Sequence, residues 1–206
     1  MVVKISILLC ALMLLAAKPV VAFDATPEQD LLVEQGVAFY DDEDYAKAKA
    51  ILLPLAEAGY PKAMSMVGKM IKFGSGFTKD VTLACDWYER SAKAGYGIGM
   101  YNLSICYNQG IGGRPKDKKQ MLYWRTKGAN NGSTHAMINL SSLDKSEGEE
   151  YRYWMNMARK NGSVYAKVSL YLQGYEQDVP DLYIQDILCV YIRILLLDGS
   201  FSACDK

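Results

Sequence analysis

One serine–lysine pair in this chain has the spacing of a known catalytic motif. Ser142 and Lys145 have the S-x-x-K spacing with which some acyl-transfer enzymes place a nucleophilic serine beside a lysine. The companion motifs K-T-G and S-D-N are absent, and so is the G-x-S-x-G motif of another serine enzyme class. A short motif of this kind arises by chance in a chain rich in serine and lysine. We therefore interpret the pair as accidental and predict no catalytic residue.

The sequence also contains few residues that could bind a metal ion. His135 is the only histidine, and no C-x-x-C motif is present, whereas zinc sites combine several such ligands at short spacings. The sequence therefore predicts neither a metal site nor a cofactor, and His135 is interpreted as a surface residue or as part of a binding face.

The cysteines suggest disulfide bonds. Cys85 lies ten residues before Gly95 and Cys106 eleven residues after it, so an antiparallel helical hairpin would place them opposite each other. Such a bridge would stabilise the fold by about 3 kcal/mol. Cys189 and Cys204 are predicted to form a second bridge that holds the C-terminal segment on the last helix. The alternative for both pairs is buried thiols.

Residues 1–22 have the pattern of a secretory signal peptide. Lys4 is followed by an apolar run over residues 5–17, and small residues precede Phe23. We expect a periplasmic or secreted protein without a membrane span after cleavage; the alternative is an uncleaved anchor. Cleavage would remove Lys4 and Lys18, which changes the formal net charge from 0 to −2. A nucleic-acid partner is not expected, because it would require a basic excess.

A repeat governs the rest of the chain. Three tryptophans each precede a glycine by eight residues, and a small residue follows each glycine by four. The sets are Trp87–Gly95–Gly99, Trp124–Gly132–Ala136 and Trp154–Gly162–Ala166, with an earlier copy at Gly59 and Ala63. A period of 36, 37 and 30 residues is typical of stacked helical hairpins. We predict an all-α solenoid of four to five hairpins.

Each copy assigns its side chains to places in a hairpin. The glycine should end a helix, and the small residue should let the next helix pack closely. Bulky residues are predicted inside the array at Val67, Leu103, Leu140 and Leu170. The tryptophans and their neighbours Tyr88, Tyr123 and Tyr153 are predicted to be core residues between units.

The second copy resembles the Sel1-like repeat signature. The matching residues are Gly74, Gly76, Asp80, Ala84, Trp87-Tyr88 and the closing segment Ala92-Lys93-Ala94-Gly95. Phe77 and Leu83 depart from the usual Val and Lys, and the third copy has Tyr123-Trp124 for Trp-Tyr. The resemblance covers about residues 30 to 175. It implies a right-handed superhelix related to tetratricopeptide arrays, with its first helices lining a concave surface that binds proteins or peptides.

The domain prediction follows from this resemblance. Residues 1–22 form the signal peptide, 23–179 the Sel1-like array, and 180–206 a C-terminal capping helix and tail. The apolar run 187–197 is too short to span a bilayer and is expected to pack on the last repeat. An exposed docking surface is the alternative interpretation of that run.

Alignment of each first helix on its small residue, as in tetratricopeptide arrays, predicts which side chains face the groove. The predicted partner-binding residues are Lys62, Ser65, Lys69, Lys72, Phe73, Tyr101, Asn108, Gln109, His135 and Lys145. Ser142 falls in the same register, and Tyr165 and Tyr175 extend the line. Lysines interleaved with aromatic and amide groups suit an acidic peptide or loop. The alternative is a solvated lysine face without a partner.

The resemblance leaves several functions open. Sel1-like proteins include secreted adaptors, host-interaction factors and signalling scaffolds, and immunity proteins against type VI secreted lipase effectors. We expect an exported, non-enzymatic protein that binds another protein, with a periplasmic immunity protein as the most specific version. The alternatives are an envelope adaptor or signalling regulator, and a weak β-lactam-binding hydrolase of the cysteine-rich Sel1-like branch.

Overall fold

The computed structural model describes residues 26–143 and 148–175, and within them the chain forms nine α-helices and no strand. In chain order these are α1 (Pro27–Asp41), α2 (Tyr45–Glu57), α3 (Pro61–Phe73), α4 (Val81–Lys93), α5 (Gly97–Gln109), α6 (Lys118–Asn130), α7 (Thr134–Ser141), α8 (Glu149–Lys160) and α9 (Val164–Leu172). No helix within these ranges has the length and hydropathy of a membrane-spanning segment. The all-α prediction is confirmed.

The helices begin and end at the residues that the repeat predicts. Thr26 and Gln29 form a capping box at the start of α1. The side chains of Asp80 and Asp117 accept backbone N–H groups at the starts of α4 and α6. The four anchor glycines all have a positive φ, which a glycine adopts without a steric penalty. They are Gly59 at 103°, Gly95 at 92°, Gly132 at 84° and Gly162 at 90°.

The helices stack as antiparallel hairpins in two layers. Each helix packs on its neighbours in sequence, and the odd-numbered helices α1, α3, α5 and α7 also contact one another in turn. We call these and α9 the inner helices, and the even-numbered helices the outer helices. This arrangement is that of an α-solenoid in which the inner helices share one continuous surface.

The predicted bulky positions are buried: Val67, Leu103 and Leu170 have no exposed area, and Leu140 is 3% exposed. Two apolar clusters fill the array, one from α1 to α5 and one from α6 to α9. Trp124 packs against the first cluster, so the core continues from hairpin to hairpin.

The prediction for the paired aromatic residues is wrong in part. Trp87, Trp154 and Tyr88 are buried, but Tyr123 and Tyr153 are 53% and 54% exposed. The reason is the order of the two residues: Tyr precedes Trp in the third and fourth copies, so its side chain leaves the helix on the outer side. There each tyrosine packs edge-on against its own tryptophan, with ring centroids 5.1 Å and 4.9 Å apart.

A disulfide joins Cys85 on α4 to Cys106 on α5, with a sequence separation of 21 and both side chains buried. It therefore ties an outer helix of one hairpin to the inner helix of the next. The signal peptide, Lys145, the apolar run 187–197 and the proposed Cys189–Cys204 bridge lie outside the described residues.

Candidate partner-binding groove

The inner surface contains a groove of about 320 Å³ between α3, α5 and the start of α7. Six of the predicted partner-binding residues line it: Ser65, Lys69, Lys72, Phe73, Tyr101 and His135. These residues come from three successive repeats, so the stacking of the hairpins, rather than any single loop, creates the groove.

One end of the groove combines positive charge with aromatic rings. The Lys69 ammonium lies 4.5 Å from the ring centroid of Tyr40, and that of Lys72 lies 5.2 Å from the ring of Phe73. Phe73 is 61% exposed, although it is apolar. Burial lowers the pKa of Lys72, because the charged ammonium has lost part of its hydration. An anion bound there would compensate that loss.

The other end is polar, and its side chains are held by hydrogen bonds between neighbouring inner helices. Asn102 on α5 donates to the Ser65 hydroxyl of α3 over 3.3 Å, and Asn139 on α7 donates to the Tyr101 hydroxyl of α5 over 3.1 Å. The Tyr101 and His135 rings lie 5.6 Å apart. Burial raises the pKa of Tyr101, so its hydroxyl stays neutral and can donate to a bound group.

Three other predicted residues lie apart from this groove. Lys62 forms an ion pair with Glu34 of α1. Asn108 and Gln109 are exposed at the end of α5, beyond the groove lining. The repeat register does place these two residues level with Lys72 and Phe73, but α7 ends at Ser141 after eight residues. The described part of α7 is therefore too short to form the opposite wall.

Tyr165 and Tyr175, whose register predicts that they continue the partner-binding surface, lie in the last described repeat and outside this groove. Tyr175 instead packs near Tyr151, with 6.5 Å between the ring centroids, and the Arg152 guanidinium lies 5.6 Å from its ring.

Four lining residues were missed from the sequence: Met66, Tyr88, Ile98 and Asn102. Ile98 directly precedes Gly99, just as His135 precedes Ala136, so the register alone could have identified it. Asn102 has an equivalent in Asn139, and that recurrence was the available signal. Tyr88 comes from an outer helix, and a scheme limited to inner helices could not include it.

The groove contains no catalytic arrangement among the described residues. The Ser142 hydroxyl donates to the Ile138 carbonyl of its own helix over 2.9 Å, so its proton is directed at the backbone rather than at a base. No group of three or more His, Cys, Asp or Glu side chains in the described ranges could hold a metal ion. The side chains present suit binding through charge, hydrogen bonds and aromatic contact.

The comparisons with known proteins agree with this architecture. The Sel1 repeat family model matches residues 61–96 and 97–133, which contain α3 to α6. The fold is similar to the crystal structure of a Sel1 repeat protein from Oxalobacter formigenes, at 23% identity and a TM-score of 0.57. That match covers 82% of this chain and 70% of the other.

A second similar structure is c5321, a protective antigen of uropathogenic Escherichia coli strains that displays an SLR fold. It is 24% identical with a TM-score of 0.56, and the match covers 80% of this chain but 37% of the other. No curated protein matches the sequence. The family model identifies two Sel1 repeats, and the two structures show the fold.

Proposed function

We propose that this chain, which contains two Sel1 repeats, binds another protein through the inner groove and is not an enzyme. Sel1 repeat proteins generally mediate protein–protein interaction. The observation that supports the proposal most directly is the lining of the groove, where two lysines and exposed Phe73 stand beside hydrogen-bonded polar groups. Aromatic anchors and charge complementarity are the features by which protein surfaces recognise a partner.

The chemistry of the groove indicates an acidic segment as the partner. No carboxylate is among the lining residues, whereas Lys69 and Lys72 both contribute ammonium groups. Acidic side chains would recover the interactions that Lys72 lost on burial, and an apolar neighbour would cover Phe73. Positive charge in a concave surface also accelerates association with an acidic partner.

The proposed location is the periplasm or the extracellular space. The pattern of residues 1–22 is that of a signal peptide, and a disulfide between Cys85 and Cys106 is compatible with an oxidising compartment. The more specific version of the proposal is an immunity protein that neutralises an effector acting in the periplasm. A binding groove without a catalytic arrangement in the described part of the chain suits a dedicated inhibitor.

The test is charge reversal in the groove. Lys69→Glu combined with Lys72→Glu should weaken capture of the physiological partner at least tenfold, because an acidic segment would then meet like charge. Lys118→Glu combined with Lys119→Glu is the matched control, since it makes the same change of net charge on outer helix α6. Binding would be measured by surface plasmon resonance with the protein product of the neighbouring gene.

Both double variants should keep the wild-type melting temperature within a few degrees, because the substituted lysines are at least partly exposed. Equal binding by the groove variant and the control would contradict the groove as the binding site. Loss of binding in both would show that net charge, rather than position, controls the interaction.

A further inference from the structure

A buried arginine stands at the repeat position that a groove-lining tyrosine occupies one repeat earlier. Arg125 stands seven residues before Gly132, as Tyr88 stands seven residues before Gly95. Tyr88 reaches from outer helix α4 between two inner helices, where it lines the groove and packs on Gly68. A Cβ atom on Gly68 would lie 2.7 Å from the Tyr88 ring, so glycine is needed there.

Arg125 enters the equivalent gap one repeat further along. Its Nε donates to the Ser104 hydroxyl over 3.4 Å, and Ser104 follows Gly99 by five residues just as Gly68 follows Ala63 by five. The Gly68–Tyr88 contact of one repeat is thus replaced by a Ser104–Arg125 contact in the next. Arg125 is only 6% exposed.

The charge of Arg125 has no counter-ion in the described part of the chain. No described carboxylate forms an ion pair with it, and the hydrogen bond to Ser104 is the one that its side chain makes there. A guanidinium has five N–H donors, and a buried charge is costly unless it is paired. Burial accordingly lowers the pKa of Arg125.

The position of Arg125 connects it to the groove. The Ser104 hydroxyl that it contacts donates to the Tyr101 backbone carbonyl over 2.6 Å, and the Tyr101 side chain lines the groove. The Arg125 charge also acts on the Tyr101 hydroxyl, where it opposes the effect of burial on the pKa. Packing alone does not require a cation here, since Met155 fills the same register in the following repeat and is buried.

We propose that Arg125 determines the specificity of the groove: its buried charge selects a second carboxylate of the partner at the Tyr101–His135 end. This inference rests on the proposed function, and it adds a positive centre one repeat away from Lys69 and Lys72. Two such centres suit a partner segment with two acidic side chains, whereas a free chain end offers one carboxylate. A charge beneath a low-dielectric surface acts more strongly on the groove than a hydrated surface lysine does.

Fluorescence anisotropy measures the binding of a labelled peptide probe to the full chain. The probe is a fluorescein-labelled, C-terminally amidated octapeptide that alternates glutamate and alanine, with the glutamine–alanine peptide as its neutral counterpart. The wild type should bind the glutamate peptide more tightly than the glutamine peptide. Arg125→Met, which places the residue of Met155 at this position, should lower the affinity for the glutamate peptide about tenfold. It should also make that affinity less dependent on salt concentration. Arg125→Lys should restore most of the affinity.

A purely structural role would give a different result. Arg125→Met would then lower the affinities for the glutamate and glutamine peptides equally. Arg125→Lys would not restore the affinity for the glutamate peptide. Should Arg125→Met fail to fold, Arg125→Tyr combined with Ser104→Gly copies the Tyr88–Gly68 pair of the preceding repeat and removes the charge in the same way.

Two further outcomes separate this inference from the proposed function. Suppose that the double variant Lys69→Gln, Lys72→Gln no longer binds the glutamate peptide while Arg125→Met binds it like the wild type. The role of Arg125 is then overturned, and the groove remains the proposed binding site. If the wild type does not distinguish the glutamate peptide from the glutamine peptide, both proposals are overturned.

Discussion

At the residue scale, the small residue that follows each anchor glycine sets how closely two hairpins pack. A Cβ atom added to Gly99 would lie 2.2 Å from the Ser91 hydroxyl and 2.6 Å from the Ser91 Cβ, both on the preceding outer helix. Gly95 differs, because no atom lies within 4 Å of an added Cβ. Its φ of +92° is instead what requires glycine at this position. One glycine therefore serves packing and the other serves backbone conformation.

This difference predicts unequal costs of alanine at the two positions. Gly99→Ala should lower the free energy of unfolding by about 1–3 kcal/mol through overlap with α4, and Gly95→Ala by about 1 kcal/mol through the strained backbone alone. Urea denaturation would measure both. Adding Ser91→Gly should recover part of the loss in Gly99→Ala and none in Gly95→Ala. If Ser91→Gly recovered the same free energy of unfolding in both alanine variants, Gly99 would not be required for packing against Ser91.

The sequence predicted these residues well because spacing alone defines them. It failed at Tyr123 and Tyr153, since a rule that treats Trp and Tyr as one pair ignores that adjacent helical residues point about 100° apart. It also failed to recognise Arg125, because burial of a charged residue depends on which neighbours surround it in three dimensions. Arginine in a polar stretch of α6 gave no local sign of burial.

At the element scale, the segment between α5 and α6 is fixed on the outer helix α4. The Arg114 guanidinium contacts Asp86 at 3.1 Å and Glu89 at 2.6 Å, and it donates to the Gly112 carbonyl over 2.7 Å. Hydrogen bonds to Lys93 and Arg114 lower the pKa of Glu89 below its ordinary value of 4.5. Arg114 therefore connects the segment to the helix that carries Cys85.

Arg114→Met should lower the free energy of unfolding at neutral pH by about 1–2 kcal/mol, because it removes several charge-assisted hydrogen bonds. The carboxylates are partly exposed, which keeps the loss at the low end. Since the pKa of Glu89 is lowered in the folded state, its ionised form stabilises the protein above pH 4.5, and that contribution disappears as the pH falls through the folded value.

The stability difference between wild type and Arg114→Met should accordingly shrink when thermal unfolding is followed below pH 4.5. Lys119→Met offers a control, because Lys119 is exposed and its side chain forms no ion pair with a described carboxylate. A pH-independent difference for Arg114→Met would show that the arginine acts through packing alone.

At the scale of the whole molecule, the repeat explains both what the sequence predicted and what it could not. Six of the predicted partner-binding residues line the groove, because equivalent positions of stacked helices align. Asn108 and Gln109 lie beyond the groove lining, where the described α7 ends at Ser141 and forms no opposite wall. Side chains that enter the groove from the outer layer, such as Tyr88, require the three-dimensional packing to be known.

We expect the inner surface, rather than the outer one, to hold the partner. The most direct measurement is site-specific photo-crosslinking in living cells, with benzoylphenylalanine placed at Phe73 on the inner surface or at Tyr123 on the outer surface. The two sites are matched, since both are aromatic and they are 61% and 53% exposed. We expect the Phe73 position to give one defined crosslinked protein, weakened by Lys69→Glu with Lys72→Glu, and the Tyr123 position to give none. A crosslink from Tyr123 but not from Phe73 would show that the partner binds the outer surface instead.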